Sequence, residues 1–394
     1  MKRKIITSII LIIVIVAGFI IIRSSLVTPS LENLNQKIKY IVSDLVENDK
    51  LIRNCVLSVM KGDGSFSWSG ATGIANENSQ VPMTKDTPIY IASITKLYTA
   101  TVIMRLYEKG ALALDDPMSK YLPKKLIQGI HVYKGKDYSN EITIKELLSH
   151  SSGIADYYTE KPKGGKSLFD LFLEDPERSW TVDDTIARVK NDLIPNFPPG
   201  ADTSYSDTNF QLLGKIIEVI TGKPLHIVYY DFIFRPLGLK HTWLVGHSKA
   251  LVASGTPADV FYKNKIINKV RSNGSYWADG GIVSTAEEMI IFLKALNEGR
   301  IVSRDTLKLM HNWHKLHFPL QYGYGTMYFK LPDFIAKWME APPLWGHSGS
   351  TGSFLYYSED LNLYMAGSIN QAESESKPFF KVMIKLMKAF QSKK

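Results

Sequence analysis

Ser93 and Lys96 stand three residues apart in Ile91-Ala92-Ser93-Ile94-Thr95-Lys96, just before a run from Leu97 to Glu108 that reads as a helix. At that spacing two helical side chains lie one above the other on the same face. A serine hydroxyl is a poor nucleophile until a neighbour takes its proton or stabilises its alkoxide. A lysine can do that, and a helix N-terminus adds partial positive charge. Alone the pattern is weak, because a serine N-cap followed by an exposed lysine has the same letters. Other candidates carry less. Gly165-Lys166-Ser167 looks like the end of a phosphate-binding loop, but Glu160 stands where that pattern needs glycine. His311, His314 and His317 recur every third residue, which does not keep all three on one helical face, so surface or core histidines are expected and no metal site. Gly346-His347-Ser348-Gly349 suggests a nucleophile elbow, yet the next residue is Ser350 rather than glycine. Tyr322-Gly323-Tyr324-Gly325 reads as a glycine-aromatic strand start that either lines a cleft or packs in the core.

The elements that must position these groups follow from hydrophobic period. Leu31, Leu34, Ile38, Ile41 and Leu45 predict a helix over 31–48. Val56–Met60 and Ser65–Thr72 flank Gly62-Asp63-Gly64 and predict a β-hairpin. Residues from about 91 to 300 are mostly helical in pattern. Strand-like runs return at Tyr324–Phe329, Pro343–Gly346, Ser353–Tyr357 and Leu363–Ile369. Pro378–Phe390 is amphipathic, with Lys377, Lys381, Lys385 and Lys388 on the face opposite Phe380, Met383, Ile384 and Met387, and is read as a helix packed on the sheet with a solvated lysine face. Strands at both ends around a helical middle predict an α/β (α+β) chain. Its antiparallel sheet is built from both chain ends, flanked by helices and interrupted by a mostly helical insertion. The expected division is an anchor and linker over 1–30 and one catalytic unit over 31–394. Within that unit the α/β part is about 31–90 and 300–394, and the helical part about 91–299.

The chain has 394 residues, 45% hydrophobic and 22% charged, which excludes wholesale disorder. A single cysteine, Cys55, excludes an internal disulfide framework and reads as core. Lys2, Arg3 and Lys4 precede an apolar run from Ile5 to Ile22. Eighteen helical residues span about 27 Å, close to the ~30 Å hydrocarbon core. This predicts an N-terminal transmembrane helix with the basic flank cytoplasmic and the rest of the chain extracytoplasmic. A cleaved signal peptide, leaving a secreted protein, is the alternative. The formal charge of +9 is carried by the ends. Removing the +4 of residues 1–23 and the +6 of residues 376–394 leaves −1, so no nucleic-acid partner is expected.

Several stretches, in order, resemble the serine β-lactamase and penicillin-binding-protein superfamily, in its class C β-lactamase-like branch (serine peptidase family S12-like). They are Pro88–Lys96; Leu112-Ala113-Leu114-Asp115-Asp116-Pro117 to Pro123; Ile142–Ile154 with Leu147-Leu148-Ser149-His150-Ser151-Ser152-Gly153; Phe197-Pro198-Pro199-Gly200; Tyr205-Ser206-Asp207; Gly280-Gly281-Ile282-Val283-Ser284-Thr285; and Gly346-His347-Ser348-Gly349. The resemblance implies a β-lactamase/transpeptidase-like fold and a catalytic Ser93, Lys96 and Tyr205. It also implies an oxyanion hole from the backbone N–H groups of Ser93 and Ser350, and substrate contacts from Asp207, His347, Ser348 and Gly349. No cofactor is implied. Tyr138-Ser139-Asn140 fits the letters of the family's tyrosine motif better, but it precedes the Leu147–Gly153 segment and lies in a loop-like stretch, so Tyr205 is preferred.

Two departures bear on substrate. Asp207 replaces an asparagine and, ionised, only accepts hydrogen bonds; pairing with Lys96 would hold the lysine charged. His347 replaces a lysine, so recognition of a substrate carboxylate would depend on its protonation. The function implied is a membrane-anchored extracytoplasmic serine hydrolase with an acyl-enzyme at Ser93. It would be a D-Ala-D-Ala carboxypeptidase or related D-peptidase, or alternatively a β-lactamase or carboxylesterase. A catalytically quiet binder of β-lactams or cell-wall fragments is the rival of another class. The partners implied are a small peptide, ester or β-lactam, peptidoglycan, and the membrane through residues 5–22.

Overall fold

A computed structural model describes residues 34–268, 275–372 and 378–391. The expected span over 5–22 lies outside them, and no helix among the described residues is long and apolar enough to cross a membrane. Leu34–Asn48 forms helix α1. The predicted hairpin is β1 (Asn54–Lys61) and β2 (Ser67–Asn76), with Met60 opposite Ser67. A short edge strand, β3 (Val81–Pro82), follows. β4 (Ile89–Tyr90) then leads to a 3₁₀ turn at Ala92–Ile94 and helix α2 (Thr95–Glu108).

Farther along come α3 (Ile144–Leu148), α4 (Asp207–Thr221), β5 (Trp243–Leu244), β6 (Ile282–Ser284) and α5 (Ala286–Asn297). The C-terminal strands are β7 (His314–His317), β8 (Leu320–Tyr322), β9 (Met327–Phe329), β10 (Leu344–Ser348), β11 (Ser353–Ser358) and β12 (Leu363–Ser368). Helix α6 (Pro378–Gln391) follows. Among the described residues one nine-stranded sheet runs β7-β8-β9-β10-β11-β12-β1-β2-β3. Its pairs are antiparallel, and β1 from the N-terminal side lies against β12 from the C-terminal side, Val56 opposite Ser368.

The central strands are covered on both faces, so their side chains alternate between two cores rather than between core and water. Cys55, Leu57, Val59, Phe354, Tyr356 and Met365 pack on the side of α1 and α6. Val56, Leu355, Tyr364 and Ala366 belong to the core on the other side, which includes Met289, Phe292 and Leu296 of α5. Burial pushes the Cys55 thiol up to about 12, as for an inert core residue. The lysine face of α6 is less solvated than expected, because Lys385 pairs with Asp44 of α1 at 2.6 Å and is 12% exposed.

α2 is a core helix: every residue from Thr95 to Met104 is buried. Tyr98 stacks on Phe292 of α5 with ring centroids 3.7 Å apart. β6 binds it to its surroundings from the other side, with Val283 opposite Tyr90 and the Ile282 N–H donating to Thr95 Oγ1 at 3.0 Å. The short strands and α2 therefore hold the Ser93 turn between the large sheet and the helical region.

Candidate active site

The turn that carries Ser93 is strained. Ala92 has φ +47, a left-handed conformation that a residue with a Cβ rarely adopts. Two contacts from the β10–β11 turn hold it. Thr351 Oγ1 donates to the Tyr90 carbonyl at 2.7 Å, and Ser353 Oγ donates to the Ile91 carbonyl at 2.8 Å. Gly349 is required in this seam, since a Cβ there would lie 2.3 Å from Ser353 Oγ and 2.4 Å from the Ile91 oxygen. Ser350 follows at once, so the seam sets its backbone beside Ser93, and both residues line both of the cavities described below.

Lys96 Nζ donates to Ser93 Oγ at 3.1 Å and to the Asp279 carbonyl at 2.7 Å, and it pairs with Asp207 Oδ1. The lysine side chain is wholly buried and that of Asp207 is 13% exposed. Burial alone would lower the lysine pKa, but the charges of Asp207 and Asp279 outweigh it and the net direction is upward. Lys96 is therefore an ammonium at neutral pH.

Tyr205 sits in the extended segment before α4, its ring 5.1 Å from Lys96 Nζ. Its Oη is buried with no hydrogen-bond partner among the described residues. Burial, and then the Asp207 charge, push the phenol well above its ordinary value, with the Ser93 hydroxyl opposing. A partnerless buried hydroxyl is costly and marks a group waiting for a ligand atom.

The Leu147–Gly153 segment holds this side of the site. Thr143 and Glu146 close a capping box on α3. His150 Nδ1 accepts from the Ser206 N–H at 3.2 Å and faces Asn209 Nδ2 at 3.1 Å. The His150 ring lies 4.3 Å from that of Tyr205 and 4.4 Å from that of Tyr322. Asp156 Oδ1 accepts from the Asp207 N–H at 2.9 Å. Gly153 turns at φ +74 where a Cβ would strike the Phe197 carbonyl at 2.0 Å, which couples the segment to the Phe197–Gly200 turn. Tyr138 directly follows a small hairpin (Val132–Tyr133 with Lys136–Asp137) and is absent from the walls of both cavities, whereas Tyr205 and Ser93 line one cavity together, so Tyr205 is the tyrosine the fold brings to Ser93.

His347 differs from expectation. Its imidazole is wholly buried, Tyr322 Oη lies 3.0 Å from Nε2, and the Ser348 carbonyl lies 2.7 Å from Nδ1. A carbonyl can only accept, so Nδ1 carries the proton and Nε2 accepts from Tyr322. Burial and then the Lys96 charge depress its pKa to about 3. At neutral pH it is uncharged and both nitrogens are occupied, which corrects the idea that its protonation governs carboxylate binding. Tyr322 is thereby core support beside the cleft. His311 stacks on Trp313 at 4.9 Å, and no metal-binding cluster occurs among the described residues.

Two carboxylates had no signal in the sequence. Asp279 accepts from Tyr157 Oη at 2.6 Å and from the Trp277 N–H at 3.1 Å. Burial and then the Asp207 charge raise Asp279 to about 6 and Asp156 to about 7.

Two cavities meet at Ser93. One, of about 190 Å³, is lined by Tyr158, Phe169, Tyr276 and Val260 together with Asp207 and Asp279. The other is walled by Tyr205, Leu316, Leu320, Met327, Ser348 and Phe379, with His317 and no lysine or arginine among its lining residues. A hydroxyl at the junction of two pockets, touching a buried ammonium, can attack a carbonyl whose two substituents point opposite ways.

The Beta-lactamase family model matches residues 48–381. The chain belongs to the Beta-lactamase family. The family's members are serine hydrolases, and this chain is one. Penicillin-binding protein 4 of Amycolatopsis lactamdurans is 27% identical over 313 residues, 73% of this chain and 72% of that protein. Esterase EstB of Burkholderia gladioli is 30% identical over 190 residues, 47% of this chain and 45% of the esterase. The crystal structure of a D-stereospecific amidohydrolase from Streptomyces sp. superposes with a TM-score of 0.68 at 27% identity, covering 86% of this chain and 95% of that one. Other relatives are named as a D-aminopeptidase and as D-alanyl-D-alanine-carboxypeptidase/endopeptidases.

Proposed function

We propose that the protein hydrolyses amides or esters of D-amino-acid-type acyl groups through an acyl-enzyme at Ser93. The observation that carries this is the contact of Ser93 Oγ with the Lys96 ammonium beside the partnerless Tyr205 hydroxyl, at the junction of two cavities. Tyr205 lines only the second cavity and Asp207 only the first, so the leaving group faces the second and the acyl group fills the first. Ser93 Oγ attacks the carbonyl carbon. Its proton passes to Tyr205 Oη as the phenol proton passes to the leaving nitrogen or oxygen, a relay that needs no free phenolate. Lys96 stabilises the alkoxide character of Ser93, and the Ser93 and Ser350 N–H groups receive the oxyanion. Water then cleaves the ester by the same route in reverse. The D configuration is supported by the named activities of the relatives.

A D-Ala-D-Ala carboxypeptidase acting on peptidoglycan is the second reading, favoured by the relatives of that name. It needs a partner for a terminal carboxylate, and the leaving-group cavity offers His317, Ser348, Ser350 and Gln371 but no lysine or arginine. The run over 5–22 supports placement at the outer face of a membrane. The test is a panel of D-aminoacyl amides, D-Ala-D-Ala peptides, β-lactams and short esters with wild type and Ser93→Ala. Turnover lost in Ser93→Ala is expected, with amides and esters ahead of the dipeptides. Acylation by an active-site probe that persists in Ser93→Ala would overturn the assignment, and stable acylation without turnover would show a binding protein instead.

A further inference from the structure

We infer that the substrate carries a free α-ammonium seated on Asp207 and a large apolar side chain in the aromatic cavity beside it. This deepens the reading of Ser93 as an acylating nucleophile and rests on it. Asp207 lines this cavity and its place in the chain of contacts is fixed: its Oδ1 holds Lys96, and Lys96 holds Ser93 Oγ. The carboxylate is thus one ammonium away from the nucleophile. In an aminoacyl group the α-nitrogen lies about 2.5 Å from the carbonyl carbon, so a carbonyl poised over Ser93 places its α-substituent at this wall.

The local charge favours a cation there. Lys96 pairs with Asp207 and donates to the Asp279 carbonyl, and Asp156 accepts from the Asp207 N–H, so three aspartates surround one ammonium here and the Lys96–Asp207 pair leaves the site acidic. A carboxylate accepts from an ammonium with a charge-assisted bond, where an asparagine amide would not discriminate so strongly.

The cavity above supplies the second half of the specificity. Tyr158 is fixed by a 2.9 Å hydrogen bond from Tyr276 and by edge contacts to Phe169 and Tyr276 with centroids 5.6 and 5.7 Å apart. The cavity of about 190 Å³ exceeds the ~150 Å³ that accommodates benzene in a protein interior, so an aryl side chain fits. The walls are rigid aromatics that need no rearrangement to receive it.

The test compares D-phenylalanine amide with D-phenyllactic acid amide, in which a hydroxyl replaces the ammonium, on the wild-type protein and on Asp207→Asn. Wild type should favour the amine by about tenfold or more in kcat/KM. Asp207→Asn, with its fold checked by thermal melting, should bring the two within about threefold. Equal rates in wild type, or a preference unchanged in Asp207→Asn, would overturn the inference while leaving Ser93 acylation intact. No turnover of either amide, together with no labelling of Ser93 by an acylating probe, would overturn both. Replacing the side chain by that of D-alanine amide should raise KM and leave the amine preference in place.

Discussion

Replacing Lys96 by methionine removes the charge and keeps most of the volume, so it isolates the electrostatic role of the lysine. The ammonium is fully buried, and the side chain of its partner Asp207 is 13% exposed. Two unit charges in contact at an effective dielectric of 20 interact by about 4 kcal/mol, and breaking a buried pair typically costs ~3–5 kcal/mol because one charge is left uncompensated. Here the cost is compounded by Asp156 and Asp279, both already raised by burial and then by the Asp207 charge, to about 7 and about 6.

The sign with pH follows. Each carboxyl binds its proton more tightly folded than unfolded, so its contribution to stability is complete at low pH and is lost as pH rises through the folded value. Lys96 opposes this by lowering Asp279. We therefore expect Lys96→Met to lose ~3–5 kcal/mol in urea unfolding at pH 8 and clearly less at pH 5. Lys96→Met with Asp207→Asn should recover most of the loss, giving a coupling of about 2 kcal/mol or more in the double-mutant cycle. A loss below ~1 kcal/mol at pH 8, an equal loss at both pH values, or additive effects in the cycle would refute this reasoning.

Other expectations are simpler to test. Tyr322→Phe leaves the buried His347 Nε2 without its donor and should cost ~1–3 kcal/mol in unfolding, independent of pH between 5 and 8 because His347 is neutral throughout. Gly349→Ala forces a Cβ against Ser353 Oγ and the Ile91 carbonyl and displaces Ser350 from Ser93. Losing one oxyanion donor should lower kcat by about 10²-fold or more with KM changed far less, measured on an ester substrate. Tyr205→Phe should retain slow acylation by an activated ester and lose amide hydrolysis, because only a poor leaving group needs the relayed proton.

The groups legible in the sequence are those whose geometry is local. Ser93 and Lys96 share one turn of helix, and the hairpin β1–β2 is announced by two strand-like runs on either side of Gly62-Asp63-Gly64. The strands β10, β11 and β12 are legible as short runs rich in apolar and aromatic residues, buried on both faces. β7 and β8 are not: His314–His317 alternates between half-buried and exposed, is rich in polar residues, and carries a register shift after Lys315. Asp156 and Asp279 gave no signal because an aspartate acquires meaning here only from segments remote in sequence, through the Asp207 N–H and through Lys96. His347 was found by its motif and misjudged in character, since nothing nearby in sequence reveals that Tyr322 would occupy its Nε2.

The aspartate at 207 sets the protonation state of the whole site, and this leads to a last expectation. With it, Lys96 remains an ammonium despite complete burial, and the Tyr205 phenol is pushed further from ionising. Without it, burial acts on Lys96 opposed chiefly by Asp279, so the lysine pKa falls, and the phenol loses the largest of the carboxylate charges raising it. The relay proposed for Ser93 takes no proton from either group before attack, so Asp207→Asn should leave in place the ascending limb of the pH–rate profile for a neutral ester, one with no ammonium to seat on residue 207. Steady-state kcat from pH 5 to 10 measures it. A limb that stays in place would mean that neither Lys96 nor Tyr205 loses a proton before attack and that the neutral relay operates whichever side chain stands at 207. A limb that moves would show that the resting site is held in its protonated form by Asp207. In that case a cationic substrate, by sharing that carboxylate with Lys96, loosens the lysine's hold on its proton only once it is bound.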